Sequence, residues 1–257
     1  MGVFMGDQAA TITRDTLLGG RVKLSQPAKG FRAAIDPVLL AAAVPAVAGE
    51  SILDAGAGTG AAALCLAARV AGARVTGIEI DPDLIALARA NAAETGVADR
   101  VIFIAGDLRA PGAVSRESFD HVLTNPPFAE EGSGTPTPDA AKRLATIEGS
   151  GGLAAWLDAC LDALKPGGWL TVIHRADRIG GVLAHLQGRA GGGAVFPLLP
   201  GAAKPAKRVI VAARKGSRAP MESRVGLVLH GPGGGYTPEA EAILRHAQAL
   251  DLSAPRG

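Results

Sequence analysis

From residue 50 onward, short apolar runs of strand length alternate with longer segments whose apolar positions recur at helical spacing. Residues 51–54, 74–80, 100–105, 119–124 and 169–174 read as strands, and 61–70, 82–94 and 152–164 as the helices between them. A helix over 177–186, strands over 194–199, 208–213 and 225–229, and a helix over 238–248 complete the pattern. Upstream, residues 15–18 and 21–24 flank Gly19-Gly20 and predict a hairpin, preceded by a loose tail and followed by a polar connection through Arg32. Asp36-Pro37 opens a helix over about 38–47: Asp can cap free amides, and Pro is harmless in a first turn. Asp81-Pro82 opens another in the same way.

Such alternation predicts an α/β fold: a mostly parallel, doubly wound sheet with helices on both faces and ligands at the carboxyl ends of its central strands. No internal repeat or linker divides the chain, so the expectation is one domain over 1–257, with residues 1–49 as an N-terminal hairpin-and-helix extension and 50–257 as the core.

Composition changes this picture little. The apolar fraction is 48%, the charged fraction 19% and the net charge only +2, so no global electrostatic grip on nucleic acid is indicated. No apolar run is free enough of Gly, Pro and charge to suggest a membrane span, and the N-terminus lacks the order of a secretory signal or a myristoylation motif. Cys65 and Cys160 fall in apolar helical patterns and read as buried thiols of a reducing, cytoplasmic compartment. His121, His174, His185, His230 and His246 are scattered without ligand spacing, so no metal is expected.

Candidate chemistry begins with Asp54-Ala55-Gly56-Ala57-Gly58-Thr59-Gly60, which follows the first strand of the series and opens a helix. Glycines at 56, 58 and 60 allow a sharp turn and close approach to a ligand. Gly56-x-Gly58-x-x-Ala61 also satisfies a dinucleotide fingerprint, so a nicotinamide cofactor is a rival. Glu79, ending the second strand, can accept both hydroxyls of a ribose, and Asp107, just past the third, can accept from an adenine amino group; an ordinary helix cap would also explain Asp107. Asp54 favours S-adenosylmethionine over NAD, because a carboxylate in the turn repels pyrophosphate but pairs with an ammonium group.

Directly after the fourth strand stands Asn125-Pro126-Pro127-Phe128, where the chain resembles the amino-group methyltransferases. An exocyclic amine is a poor nucleophile because its lone pair is delocalised into the ring. If the Asn125 side-chain oxygen and the Pro126 carbonyl each accept one of its hydrogens, the lone pair is turned toward a sulfonium methyl. Pro126-Pro127 stiffens the backbone, and Phe128 offers a flat face for stacking. Asn125 also adjoins the expected cofactor. The motif serves adenine N6, guanine N2 and glutamine amides alike.

Flanking segments choose among them. Gln26-Pro27, Gly30-Phe31-Arg32, Asp36 and Leu39-Leu40-Ala41-Ala42, with Lys142-Arg143-Leu144-Ala145 and Gly231-Pro232 to Tyr236, resemble the bacterial tRNA1(Val) adenine-N6 methyltransferase family from about residue 14 onward. Many members carry Tyr at the position of Phe128. The resemblance implies a Rossmann-like class I methyltransferase fold with a seven-stranded sheet, S-adenosylmethionine as cofactor, and methylation of an adenine in the tRNA anticodon loop. It also implies Arg32, Lys142 and Arg143 on the substrate side, in a monomer or homodimer that does not engage membranes. Lys23 and Lys29, and a late cluster of Lys204, Lys207, Arg208, Arg214, Lys215 and Arg218, could add RNA contacts or simply be solvated. A protein-glutamine methyltransferase and a guanine-N2 rRNA enzyme are the near alternatives. The short N-terminal extension, with no room for a helical domain, counts against the former. An oxidoreductase leaves the Asn-Pro-Pro-Phe motif unexplained.

Overall fold

A computed structural model describes residues 11–28, 33–126 and 152–252. Strands β3 (Ser51–Ala55), β4 (Arg74–Glu79), β5 (Val101–Ala105), β6 (Phe119–Thr124) and β7 (Leu164–Arg175) run parallel in the order β5-β4-β3-β6-β7. Strand β9 (Arg208–Lys215) lies antiparallel between β7 and β8 (Ala190–Gly201). This insertion departs from the all-parallel 3-2-1-4-5-6 order of dinucleotide-binding sheets. The short β10 (Glu222–Ser223) and β11 (Leu227–His230) both pair with β8, giving nine strands in this sheet among the described residues where seven were expected.

Helices α1 (Asp36–Ala43), α2 (Ala61–Arg69), α3 (Pro82–Thr95) and α6 (Pro238–His246) contribute to an apolar cluster on one face. Helices α4 (Gly152–Ala163) and α5 (Ile179–Leu186) cover the other. Alternating residues of β7 enter the two clusters, Ile173 on the α1 side and Val172 on the α4 side, as strand periodicity requires.

Local chemistry explains where the elements differ from the sequence expectations. Helix α1 stops at Ala43, four residues early, because Val44 precedes Pro45 and is pushed to an extended conformation, with ψ 120°. Asp36 caps nothing; its carboxylate instead takes a 3.0 Å hydrogen bond from Arg208 Nε on β9. Asp81 does cap α3, accepting from the amides of Asp83 and Leu84. The N-terminal hairpin is longer than expected, pairing β1 (Ile12–Leu17) with β2 (Val22–Pro27).

Candidate active site

The carboxyl ends of β3, β4, β5 and β6 lie on one edge of the sheet and carry the glycine turn, Glu79, Asp107 and Asn125 together. Gly56, Gly58 and Gly60 have φ of 77°, 55° and 87°, a region that L side chains avoid. At Gly56 a Cβ would also stand 3.2 Å from the Trp156 ring, and at Gly60 only 2.6 Å from Phe103. The turn is therefore shaped by its neighbours as well as by its backbone.

Two carboxylates hold that turn. Asp54, only 2% exposed, accepts a 3.0 Å hydrogen bond from the Ala63 amide in the first turn of α2. Burial, helped by the nearby charge of Glu79 and opposed by that hydrogen bond, pushes its carboxyl up to about 7. Glu79 accepts from the Gly58 amide through one oxygen and from the Ile80 and Asp81 amides through the other. Asp107 is engaged locally: Arg109 donates to it from its backbone amide, Nε and a terminal nitrogen, and holds the carboxyl below the usual range. A ligand amine would have to share Asp107 with Arg109.

Asn125 is half-buried and Pro126 buried at the end of β6. The strand end before them is locked by contacts absent from the sequence reading. Thr124, fully buried, donates from its hydroxyl to the Ala55 carbonyl at 2.8 Å and accepts from Trp156 Nε1 at 3.0 Å. Trp156 thus ties the Asn125 strand end to the glycine turn it also packs against. A tryptophan in an Ala- and Gly-rich chain was the available signal, but its partner lies 32 residues away. Asn91 was missed too. Fully buried on α3, it donates to the Thr59 and Ser25 carbonyls and accepts from the Ser25 amide, fastening hairpin strand β2 to the glycine turn.

Other expected positions part company. Pro127, Phe128, Arg32, Lys29, Lys142 and Arg143 lie outside the described residues. The late basic cluster does not stay together: Lys204, Lys207 and Arg208 sit at the carboxyl edge, while β9 carries Arg214 and Lys215 to the opposite edge. There Arg214 donates to the Gly167 carbonyl and Lys215 to the Leu164 carbonyl. Cys65 and Cys160 are free and buried, and burial pushes both thiols up, so neither is a nucleophile. Among the described residues no His, Cys, Asp and Glu grouping could hold a metal, and no helix is long and apolar enough to cross a membrane.

Comparison with known proteins places this geometry. The family described as "Methyltransferase domain" matches residues 52–168, which contain the glycine turn, Glu79, Asp107 and Asn125. The core has the fold of the class I methyltransferases. A crystal structure of a predicted O-methyltransferase from Agrobacterium tumefaciens superposes on this chain with a TM-score of 0.70 at 26% identity, covering 84% of this chain and 98% of that one. A tRNA1(Val) (adenine(37)-N6)-methyltransferase from Porphyromonas gingivalis is 36% identical over 163 residues, 61% of this chain and 63% of its own. A release factor glutamine methyltransferase from Chlorobaculum tepidum is 36% identical over 95 residues, 36% of this chain and 32% of its own. The chain therefore spans just under two thirds of the length of the Porphyromonas relative.

Proposed function

We propose that this chain, acting as one methyltransferase domain with residues 1–49 as an extension, transfers a methyl group from S-adenosylmethionine to the N6 amino group of an adenine in tRNA. One observation carries the reading: Asn125 and Pro126 end the strand that Thr124 fastens to Ala55, directly before the glycine turn. The residues fit the cofactor. Asp54 is a buried carboxylate without a cation among the described residues, and an ammonium beside it would restore its ionised form. Glu79 faces the turn where ribose hydroxyls would lie, and Gly58, with open space at its Cβ position, leaves room for close approach. When bound, the cofactor supplies an electrophilic sulfonium methyl.

The remaining work belongs to the protein. Asn125 Oδ1 and the Pro126 carbonyl accept the two amine hydrogens, so the lone pair turns out of conjugation toward the methyl carbon. As the C–N bond would form and the methyl–sulfur bond break, its electron pair leaving with sulfur as a neutral thioether, positive charge would pass to nitrogen, and both acceptors would strengthen their hold on its hydrogens. The extra proton then leaves to solvent. Because Thr124 and Trp156 fix the strand end, little reorganisation accompanies the step.

Adenine in tRNA is favoured over guanine by the similarity to tRNA1(Val) adenine-N6 methyltransferases and by the leading segment from Gln26 to Ala42. The similarity to a glutamine methyltransferase supports a protein amide as the second reading. Radiolabelled S-adenosylmethionine offered with tRNA lacking the modification tests both. N6-methyladenosine in the digest, absent with Asn125→Ala, supports the proposal; label in protein alone replaces it with the second reading.

A further inference from the structure

Three side chains hold the glycine turn from three elements. Asp54 on β3 takes the Ala63 amide, Glu79 on β4 takes the Gly58 amide, and Asn91 on α3 donates to the Thr59 carbonyl at 3.0 Å. Asp54 and Glu79 tie one part of the core to another. Asn91 differs, because its other two hydrogen bonds go to Ser25 of the N-terminal hairpin. Both hydrogens of its amide are committed, one to the Ser25 carbonyl and one to the Thr59 carbonyl. Those carbonyls can only accept, so Nδ2 must face them and Oδ1 the Ser25 amide, 2.8 Å away.

Helix α3 holds the hairpin at a second point. Thr95 Oγ1, one turn further on, accepts from the Lys23 amide at 3.1 Å and donates to the Lys23 carbonyl at 3.4 Å. In a strand the N–H and C=O of one residue point to the same side. Helix α3 therefore takes both groups of Lys23 and both of Ser25, as an antiparallel neighbouring strand would. The spacings agree: four residues of helix advance about 6 Å and two residues of strand about 6.6 Å. Side chains of α3 thus close the edge of β2 that faces away from β1.

We propose that Asn91 is a positioning residue for the cofactor and that the docked hairpin is its abutment, so that S-adenosylmethionine affinity and hairpin docking are coupled. The inference rests on the cofactor reading above. With β2 in place, one orientation of the fully buried Asn91 amide satisfies all its partners, and that orientation fixes the Thr59 carbonyl between Gly58 and Gly60. When β2 leaves, Ser25 no longer orients the amide, and the hold on Thr59 weakens. The hairpin thereby acts on the cofactor turn through one buried side chain. Such coupling is reciprocal: the factor that undocking takes from cofactor affinity is the factor by which bound cofactor favours docking.

Calorimetric titration with S-adenosylmethionine, together with hydrogen exchange of the hairpin amides, tests the coupling. Thr95→Val keeps the side-chain shape, withdraws the hydroxyl from Lys23 and touches neither Asn91 nor the glycine turn. Its cofactor Kd should rise about threefold or more. Thr95→Ser restores the hydroxyl and should bind as the parent does. Asn91→Ala should raise the Kd about tenfold or more; if it fails to fold, the Thr95 pair decides. In the parent, saturating cofactor should slow exchange of the Lys23 and Ser25 amides about threefold or more. The Glu117 and Ser118 amides, bonded to Asp162 and Ala163 at the opposite edge, should keep their rates. Parent-like affinity in Thr95→Val or in folded Asn91→Ala overturns the coupling. So does equal weakening in Thr95→Ser, or hairpin exchange indifferent to cofactor. The methyl-transfer reading survives those results if the parent still binds S-adenosylmethionine; a parent that binds none overturns both.

Discussion

The two edges of the central sheet use the same residue types to opposite ends. On β3, Asp54 points into the carboxyl edge; on neighbouring β6, Asp120 sits at the amino edge. Among the described residues Asp54 has one backbone donor and no cation beside it, and burial pushes its carboxyl up to about 7. Asp120 also feels partial burial, but Lys165 and both donors of Ser51 outweigh it and bring the carboxyl down to about 2. The amino edge is thus closed upon itself: Lys165 with Asp120, His121 with Glu50, Lys215 with Glu117. At the carboxyl edge Asp54 and Glu79 rest on backbone amides instead. An acid paired to a lysine is neutralised within the fold; one held by amides and dehydrated is not.

Asn125→Ala probes this contrast with the largest expected effect. Losing one of two acceptors for the amine should lower kcat by roughly a hundred- to a thousandfold. Cofactor affinity measured by calorimetry should fall far less. A variant that keeps wild-type turnover would remove Asn125 from the chemistry.

Glycines of the two edges sharpen it next. Gly60→Ala forces a Cβ to within 2.6 Å of the buried Phe103 ring in a left-handed backbone and should cost about 3 kcal/mol, strain and overpacking together. Gly96, which ends α3 at the amino edge, has φ 76° but open space around it; Gly96→Ala should cost about 1 kcal/mol, from strain alone. Urea melts compare the pair directly, and equal losses would mean that Phe103 yields freely.

The third effect is in pH. Asp54 titrates near 7 when folded and near 3.8 when unfolded, so between those values the folded chain keeps a proton that the unfolded chain has released. Stability from this group is therefore fully present below about pH 4 and is lost as pH rises toward 7, by about 4 kcal/mol at most. Ligand binding has the opposite sign, because an ammonium needs the ionised carboxylate. S-adenosylmethionine affinity should fall up to about tenfold per unit below pH 7, and Asp54→Asn should flatten that profile. A profile unchanged in the variant would assign the dependence to another group.

Much of this was legible in the chain and some was not, for physical reasons. Strand and helix periods are local, so the order of elements from 50 to 248 could be read directly, as could the glycine turn and the Asn125 strand end that follow from it. Pairing is not local. Nothing in the apolar run of β9 says that it inserts antiparallel between β7 and β8, and that insertion is what divides Lys204, Lys207 and Arg208 from Arg214 and Lys215. For the same reason Trp156 and Asn91 read as ordinary helix residues. Their roles appear only when folding brings Thr124, Thr59 and Ser25 against them. Asp36 shows the converse: a good local cap signal gave way to Arg208, 172 residues distant.

The smallest expected effect belongs to the amino edge. Lys165→Ala removes the 2.7 Å contact to Asp120, but the carboxylate keeps its two Ser51 donors, and both partners are partly solvated. The cost at pH 7 should be under about 1 kcal/mol, as for other solvent-screened pairs. Its sign with pH is fixed by the lowered Asp120 value. The contribution is present above the unfolded value of 3.8 and is lost as pH falls toward 2. The variant should therefore unfold at a slightly higher pH in an acid titration followed by circular dichroism, with methyl transfer at pH 7.5 unaltered. If Lys165→Ala instead reduces turnover as Asn125→Ala does, the two edges are coupled through β6. That strand carries Asp120 near its start and ends at Thr124, directly before Asn125, so a shift at one end would then reach the acceptor beyond the other.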